Sequence, residues 1–228
     1  MTIDEYFGDW MKVLDREEAM KIMGWLKTID KETLCPSIRN VFKAFKLCPY
    51  KDCKVIFVGQ DPYPQKGVAQ GLAFSNSSDT PENKLSVSLR TIKESVINFD
   101  IPHNLITFDP TLESWAKQGI LLLNAALTTK EYCTEVHMKQ WRPFIGTFLH
   151  NMSLKNPGIV YVLFGSYAAI LEPYINKENS YIIKTAHPSY FSRTGKKMPS
   201  DIWNTINTIL YGLYGKKIEW FKEEEFNQ

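Results

Sequence analysis

Four short polar segments each follow directly after an apolar run in this sequence. They occupy residues 59–64, 124–128, 165–167 and 186–192. Together they contain a carboxylate, an amide, hydroxyl groups and an imidazole, a set that can carry out acid–base chemistry if its members converge. Each residue alone also has a simple structural explanation, such as a turn or a helix cap. The prediction of an active site therefore depends on their joint placement.

Four side chains in or near these segments have a defined chemical use. Asp61 can hold a water molecule or stabilise a developing cation, and His187 can donate to a developing oxyanion while uncharged if its pKa is low. Asn124 offers one acceptor and two donors on a planar amide, which suits the edge of a planar base. Phe74, in the segment 71–75, can stack on a flat ligand or pack in the core.

Motifs of several other enzyme classes do not occur in the chain. It has no G-x-S-x-G, no P-loop and no G-x-G-x-x-G after a predicted strand, so serine-hydrolase, NTPase and dinucleotide-binding functions have little support. The cysteines form no C-x-x-C pair and the histidines are equally dispersed, which favours reduced thiols over a zinc or iron–sulfur site. These residues are Cys35, Cys48, Cys53, Cys133, His103, His137, His150 and His187.

The elements that must position these side chains follow from hydrophobic patterning. Short apolar runs predict four strands, at residues 54–58, 120–123, 159–164 and 181–184. Helical spacing predicts helices over about 1–48, 86–99, 141–152 and 201–214. The Gly-, Pro- and Ser-containing stretch 60–83 is predicted to be a loop, and the charged tail 219–228 is predicted to fray.

Short apolar strands separated by helices predict an α/β fold. Such a protein is a three-layer α/β/α sandwich with a central, mostly parallel four-stranded sheet covered on both faces. Sheets of this kind bind ligands outside the carboxyl ends of their strands, which is where the four polar segments lie. We therefore expect Asp61, Asn124, Ser166 and His187 to meet at one edge of the sheet.

Composition sets outer limits on the fold and on the location. The 228 residues carry 27 Lys and Arg against 25 Asp and Glu, a net charge of +2, and 44% are hydrophobic. These values exclude global disorder and a pure coiled coil and predict a single domain over 1–228. Because no apolar run approaches transmembrane length and the N-terminus lacks a signal peptide, a cytoplasmic protein with no membrane association is expected. The net charge alone is too small to indicate nucleic-acid binding.

The segments 59–63, 71–75, 121–125, 165–166 and 187–189 closely resemble, in order, the motif set of family 1 uracil-DNA glycosylases. The resemblance spans roughly residues 50–212. It implies an enzyme without metal or cofactor that hydrolyses the N-glycosidic bond of deoxyuridine in DNA, releases uracil and leaves an abasic site. The resemblance further implies single- or double-stranded DNA containing uracil as the substrate, and a monomer that inhibitor proteins can bind.

The resemblance also implies roles for individual residues around the base. Asp61 would activate water and His187 would hydrogen-bond uracil O2. Asn124 would read the O4 and N3 edge, and Phe74 would stack on the flipped base. The remaining two contacts would come from Gln60, through its backbone or side chain, and from Tyr63, which would crowd C5 and exclude thymine.

Contacts with the DNA backbone are implied at a second group of positions. Gly165, Ser166, Ser189 and Ser88 would lie in loops that pinch the strand, and Phe191 stands where the family inserts a wedge into the base stack. Basic residues around His187 would bind phosphates in either kind of strand. They are Lys184, Arg193, Lys196 and Lys197.

This sequence departs from the family pattern at three places. Pro64 replaces the usual histidine of the first motif, residues 81–89 lack the usual proline cluster, and Phe191 replaces the usual leucine. Three alternatives stay open at the level of sequence: a non-catalytic DNA-binding or processivity subunit, a glycosylase for another lesion, and an unrelated α/β hydrolase or ligand-binding domain. Replacement of Asp61 or His187 would have favoured the first, and neither is replaced.

Overall fold

A central parallel sheet organises the computed structural model, which describes residues 2–99 and 106–223. The strands of the described chain are β1 (Leu34–Cys35), β2 (Val55–Gly59), β3 (Ile106–Thr107), β4 (Ile120–Asn124), β5 (Thr129–Lys130), β6 (Ile159–Phe164), β7 (Ser180–Thr185) and β8 (Lys222–Glu223). The sheet order is β4-β2-β6-β7, and all three pairings are parallel. The four predicted strands are therefore confirmed.

Helices surround this sheet and complete the predicted three-layer α/β/α sandwich. They are α1 (Ile3–Phe7), α2 (Arg16–Thr28), α3 (Lys43–Leu47), α4 (Val87–Phe99), α5 (Glu113–Lys117), α6 (Met138–Lys155), α7 (Ser166–Ala169), α8 (Pro188–Thr194) and α9 (Asp201–Tyr214). Short 3₁₀ turns lie at Gly8–Lys12, Ile38–Asn40, Tyr50–Asp52, Glu82–Lys84 and Glu172–Tyr174. No helix in the described residues is long and apolar enough to span a bilayer.

Three strands of this sheet, β2, β4 and β6, are wholly buried, as their apolar sequences require. Phe57 of β2 and Phe164 of β6 pack edge-to-face, with ring centroids 5.2 Å apart. Phe57 also contacts Trp115 of α5 and Trp203 of α9, so the sheet and these helices share one aromatic cluster. The strand β7, at the edge opposite β4, is only partly buried, and its Tyr181 is exposed.

The N-terminal part is less helical than its apolar spacing predicts. The helix α2 ends at Thr28, and the Asp30 carboxylate then accepts from the Glu32 amide and the Thr33 hydroxyl. Local bonds of this kind compete with helix continuation, so the chain turns and β1 pairs with β5 instead. Met20 in α2 and Leu213 in α9 are apolar but exposed.

Two further predictions are wrong in the described chain. Residues 188–194 form a helix rather than a loop: His187 is its N-cap, Pro188 its first residue and Gly195 its left-handed C-cap. The tail does not fray up to residue 223, because Trp220 is buried against Trp115 and β8 pairs with β3. The rest of the tail, 224–228, and His103 lie outside the described residues.

Candidate active site

A cavity of about 240 Å³ lies at the carboxyl ends of β2 and β4. All six residues that the sequence assigned to catalysis and base binding line it. They are Gln60, Asp61, Tyr63, Phe74, Asn124 and His187. The volume is below the roughly 300–1,000 Å³ typical of pockets for drug-sized ligands. The cavity therefore suits a group as small as a single planar base.

Two glycines at strand ends make room for the side chains of the cavity. Gly59 and Asn124 are direct partners in the β2–β4 register, and a β-carbon at Gly59 would lie 2.4 Å from Asn124 Oδ1 and 3.0 Å from the Phe74 ring. Gly165 has φ +85°, and a β-carbon there would lie 2.9 Å from that of His187. Only glycine permits such close approach together with the left-handed backbone of Gly165.

Phe74 forms the inner wall of the cavity. Its ring packs edge-to-face on Phe164 with centroids 5.0 Å apart, and lies 5.8 Å from the His187 ring. The φ of Phe74 is +67°, which is rare for a bulky residue and is found where the surroundings impose it. The Tyr63 hydroxyl donates to the Phe74 carbonyl at 3.0 Å, so the strained residue is held from the opposite wall.

The Tyr63 hydroxyl both donates and accepts a hydrogen bond, and this holds the ring in place. Its hydroxyl accepts from the Ser86 hydroxyl at 2.6 Å while it donates to Phe74. Burial raises the pKa of Tyr63 well above its usual range, so the ring stays neutral. A neutral ring held in one position can limit the width of the cavity.

The Asp61 carboxylate is half-buried and has one strong backbone donor. Its Oδ2 accepts from the Glu135 amide at 2.6 Å. Burial raises the pKa of Asp61 to about 6, and the negative charge of Glu135 acts in the same direction against that amide bond. Asp61 is therefore ionised above about pH 6 and has the proton affinity of an effective general base.

His187 is held as a neutral imidazole with a free donor. The Ser189 amide donates to His187 Nδ1 at 3.3 Å, and the Ser189 hydroxyl lies 2.8 Å from the same nitrogen. Because Nδ1 is the acceptor, the hydrogen resides on Nε2. Burial lowers the pKa of His187 to about 4, and the Arg193 charge adds to this effect. A neutral Nε2–H can donate to an oxygen that becomes negative.

The residues assigned to DNA contacts divide into two groups. Gly165 and Ser166 begin α7 beside His187, Ser189 lines the cavity, and Arg193 is exposed on α8. Ser88 and Phe191, in contrast, are only 4% and 8% exposed, so a contact with DNA would require either side chain to become accessible, and both contacts stay predictions.

The position of Phe191 follows from the helix that the sequence analysis missed. Along α8, Phe191 faces α4 and joins the hydrophobic core, whereas the preceding Tyr190 is exposed. Ser88 lies in α4 and lines the cavity from within. The exposed aromatic ring nearest to the predicted wedge position is therefore that of Tyr190.

The basic side chains around His187 differ in whether a carboxylate already pairs with them, and so in how freely they can bind phosphate. Lys184 is paired with Glu172 at 2.8 Å, so much of its charge is already compensated. Within residues 2–99 and 106–223, Arg193, Lys196 and Lys197 have no carboxylate partner within 4.0 Å. Lys196 Nζ lies 6.0 Å from the centre of the Tyr190 ring. These three residues are the better candidates for phosphate contacts.

Glu135 and Tyr167 belong to the site but were not found from the sequence. The Gln60 side-chain amide donates to Glu135 Oε1 at 3.1 Å, and the Tyr167 hydroxyl donates to Glu135 Oε2. Tyr167 stood in a polar segment without an assigned role, and Glu135 follows no predicted strand. In the described chain, no group of three or more His, Cys, Asp or Glu side chains is arranged to hold a metal ion.

The fold and the cavity define an α/β protein with a base-sized site at the carboxyl edge of its sheet. The model of the uracil DNA glycosylase superfamily matches residues 45–210. A uracil-DNA glycosylase of Fusobacterium nucleatum subsp. nucleatum is 32% identical over 93% of this chain and 95% of its own length. One of Lactobacillus helveticus is 33% identical over 97% and 95%. The chain belongs to the uracil DNA glycosylase superfamily.

Solved structures independently support the fold. The crystal structure of mimivirus uracil-DNA glycosylase superposes with a TM-score of 0.74 over 96% of this chain and 93% of that chain, at 23% identity. A variant of the same viral protein in complex with UGI superposes equally well, with a TM-score of 0.74 over 96% and 94%. At this identity the likeness concerns the fold alone.

Proposed function

We propose that this protein is a family 1 uracil-DNA glycosylase that hydrolyses the N-glycosidic bond of deoxyuridine in DNA. The observation that carries the proposal is the convergence of Asp61, Asn124, Phe74 and His187 on one cavity of single-base size. Membership of the superfamily and the names of its bacterial relatives support the same substrate. No observation favours the non-catalytic alternative, since the chemically active side chains all face the cavity.

The first step is the capture of an extrahelical base. A base within a duplex is unreachable, so the nucleotide must rotate out of the stack at a cost of about a few kcal/mol. In the proposed complex the ring lies against Phe74, and the Asn124 amide pairs with the O4 and N3 edge. The cavity excludes thymine because Tyr63, fixed by Ser86 and Phe74, occupies the space next to C5.

The base edge also discriminates against cytosine. Uracil presents an acceptor at O4 and a donor at N3, which match the donor and acceptor of one planar amide. Cytosine presents an amino group in place of O4 and an acceptor at N3, so both groups would meet the wrong side of Asn124. Burying such unpaired polar groups costs about 1–3 kcal/mol each. Asn124 is only 8% exposed, so water cannot relieve the mismatch.

The chemical step moves charge in a way that the two ionisable residues can stabilise. The bond between C1′ and N1 breaks, and its electron pair goes to the uracil ring. His187 Nε2–H donates to O2 as negative charge grows there, which a neutral imidazole does without losing its proton. The Asp61 carboxylate stabilises the oxocarbenium-like sugar and holds the water that attacks C1′. It then accepts the proton released by that water.

We also propose contacts with the DNA backbone, an oligomeric state and an inhibitor partner. Gly165, Ser166, Ser189 and Arg193 contact the phosphates of single- or double-stranded DNA without reading sequence. The protein acts as a monomer in a reducing cytoplasm, in keeping with cysteines that stay free thiols. An inhibitor protein is a further proposed partner, supported by the complex of the mimivirus variant with UGI.

The experiment that tests this function uses labelled single-stranded oligonucleotides that differ at one base. Each carries uracil, thymine or cytosine at the same position, and alkali reveals abasic sites after incubation in a chelator. We expect cleavage only of the uracil strand. Equal cleavage of the thymine strand would refute the specificity, and binding without any cleavage would favour the non-catalytic alternative.

Tyr190→Ala is expected to slow excision from duplex DNA by about tenfold and to affect single strands little. The exposed ring lies on α8 next to the cavity, where an aromatic side chain can fill the gap left by a flipped base. Stacking of this kind contributes about 1–3 kcal/mol per base. Single-turnover rates on matched duplex and single-stranded substrates measure the difference.

Tyr211→Ala is the matched control for Tyr190→Ala. Tyr211 is also exposed, but it lies on α9 beside Lys217 and does not line the cavity. It should leave both rates unchanged. An equal loss on duplex and single strands in Tyr190→Ala would remove the wedge role.

A further inference from the structure

Glu135 links three separate segments at the rim of the cavity. Its backbone amide donates to Asp61 Oδ2 at 2.6 Å. Its two carboxylate oxygens accept from different sides, Oε1 from Gln60 Nε2 at 3.1 Å and Oε2 from the Tyr167 hydroxyl. The residue thereby connects the segment after β2, the loop after β5 and the start of α7. No role follows for it from the proposed chemistry, although it contacts the catalytic carboxylate.

The backbone of Glu135 is in an unfavourable conformation. Its φ is +67°, in the left-handed region. For a residue with a β-carbon this region is disfavoured by a factor of roughly 5–30 in population. Such outliers persist where neighbouring contacts impose them, and they concentrate at functional sites. The amide that bonds to Asp61 is the amide of this same strained residue, so its direction depends on the strain being maintained.

The two side-chain bonds are among the contacts that can maintain this conformation, beside the bond from the Met138 amide to the Glu135 carbonyl at 3.2 Å. Neighbouring backbone bonds fix the start of the loop, from the Glu131 amide to the Thr33 carbonyl at 2.7 Å and from the Tyr132 amide to the Pro64 carbonyl at 2.9 Å. Beyond Tyr132, the carboxylate of Glu135 is what joins the loop to Gln60 and Tyr167. An exposed carboxylate of this kind contributes little to global stability. Its effect should therefore fall on the local geometry.

We propose that Glu135 is a positioning residue of the active site, which aims its own backbone amide at Asp61 through the anchoring of its carboxylate by Gln60 and Tyr167. The inference rests on the proposed function, because it assigns to Asp61 the task of holding and deprotonating water. Misplacement of a catalytic group by about 1 Å can cost on the order of 100-fold in rate. Loss of the anchor should therefore appear in the chemical step rather than in DNA binding.

The same contact carries a second, electrostatic consequence. The titratable groups facing the Asp61 carboxylate are Glu135 from the loop after β5, Tyr167 from α7, and Tyr63 and His187 across the cavity. Of these, the negative charge of Glu135 raises the pKa of Asp61, in addition to the larger effect of burial. Removing that charge without changing shape should lower the pKa of Asp61. The acid limb of the activity profile should then move to lower pH.

The experiment compares four variants of the full chain by single-turnover excision across the pH range, with thermal unfolding as the fold control. Glu135→Gln removes the charge and keeps the shape; its Oε1 can still accept from Gln60, and its Nε2 can donate to the Tyr167 oxygen in a bond of reversed direction. Glu135→Gly removes the side chain together with the β-carbon that disfavours the left-handed backbone, whereas Glu135→Ala keeps that β-carbon and loses the anchoring carboxylate. Tyr167→Phe removes one anchor and leaves Glu135 intact.

Among the Glu135 variants, we expect the single-turnover excision rate at about pH 8 to be highest for Glu135→Gln, lower for Glu135→Gly and lowest for Glu135→Ala. Glu135→Gln should stay within about threefold of the wild-type protein and shift the acid limb to lower pH. Glu135→Ala should lose about tenfold, in line with the penalty of the left-handed conformation. Tyr167→Phe should lose less than Glu135→Ala, because the Gln60 anchor remains.

The outcomes separate this inference from the proposed function. Absence of excision by the folded wild-type protein would overturn the proposed function and the inference with it. If the wild-type protein and all variants excise uracil at equal rates, and the acid limbs of their pH–rate profiles coincide, the inference alone is overturned. If Glu135→Ala does not fold, the test rests on the acid limb of the pH–rate profile of Glu135→Gln and on the single-turnover rate of Tyr167→Phe. Wild-type values of both would overturn the inference.

Discussion

Asp61→Asn should lower the single-turnover rate of uracil excision by about 10²–10⁴-fold, the usual contribution of a positioned general base. The substitution keeps the shape of the side chain and an oxygen that can accept from the Glu135 amide. It removes the negative charge that stabilises the sugar cation and the site that takes the proton of water. Rates with excess protein on a single-stranded deoxyuridine substrate measure the effect without a contribution from product release.

The stability of Asp61→Asn distinguishes a chemical loss from unfolding. Burial raises the pKa of Asp61 to about 6, so the folded state binds this proton more tightly than the unfolded chain does. The favourable contribution is complete below the unfolded pKa and is lost as pH rises through about 6. At about pH 8 the buried charge is unfavourable, and its removal should leave the midpoint of thermal unfolding unchanged or raised.

Asp9→Asn provides the matched control for Asp61→Asn. Asp9 is exposed and forms an ion pair with Lys12 on the N-terminal 3₁₀ turn, so its replacement should change neither rate nor unfolding midpoint appreciably. A folded Asp61→Asn protein that retained wild-type activity would contradict the assignment of Asp61.

Gly59→Ala is the second large expected effect, because one methyl group would occupy the position where the cavity walls meet. The added carbon would lie 2.4 Å from Asn124 Oδ1 and 3.0 Å from the Phe74 ring. Both groups must move, and both are proposed to contact the base. We expect excision to fall by at least about 100-fold, as displacements of about 1 Å do elsewhere. Single-turnover rates as a function of protein concentration would show the loss.

The cost of Gly59→Ala in stability should be smaller than its cost in activity. Overpacking of this size destabilises by about 1–3 kcal/mol, which lowers the unfolding midpoint by several degrees without preventing folding. Gly24→Ala is the matched control, since a β-carbon at Gly24 in α2 meets nothing within 4 Å. Wild-type activity in a folded Gly59→Ala protein would show that the cavity is not the base site.

The sheet and the central residues of the site were predictable for one physical reason. Buried parallel strands are short and wholly apolar, so β2, β4 and β6 were recognisable along the chain, and the polar residues at their carboxyl ends had to share one edge. This reasoning brought Asp61, Asn124 and His187 together, and the structure places all three around one cavity. Their roles in the reaction stay proposals.

What escaped prediction depended on local backbone conformation. The helix α8 turns Phe191 inward and Tyr190 outward, and its 7 residues are too few for helical periodicity to reveal it despite the start and stop signals at Pro188 and Gly195. The backbone of Glu135 lies in the left-handed region, and no pattern of side chains along the sequence encodes that conformation. The requirement for glycine at position 59 likewise arises only from the register with Asn124.

Hydrolysis of the N-glycosidic bond with Asp61 as general base is tested most directly by measuring the two products together. Wild-type protein and Asp61→Asn are incubated with a single-stranded deoxyuridine oligonucleotide in chelator, free uracil is quantified by chromatography, and the strand is weighed by mass spectrometry. We expect one free uracil for each strand that loses a uracil and gains one water in mass, an intact backbone, and almost no product from Asp61→Asn. Absence of free uracil from the reaction of the folded wild-type protein would contradict the proposed hydrolysis. Equal release of uracil by Asp61→Asn would contradict the role of Asp61.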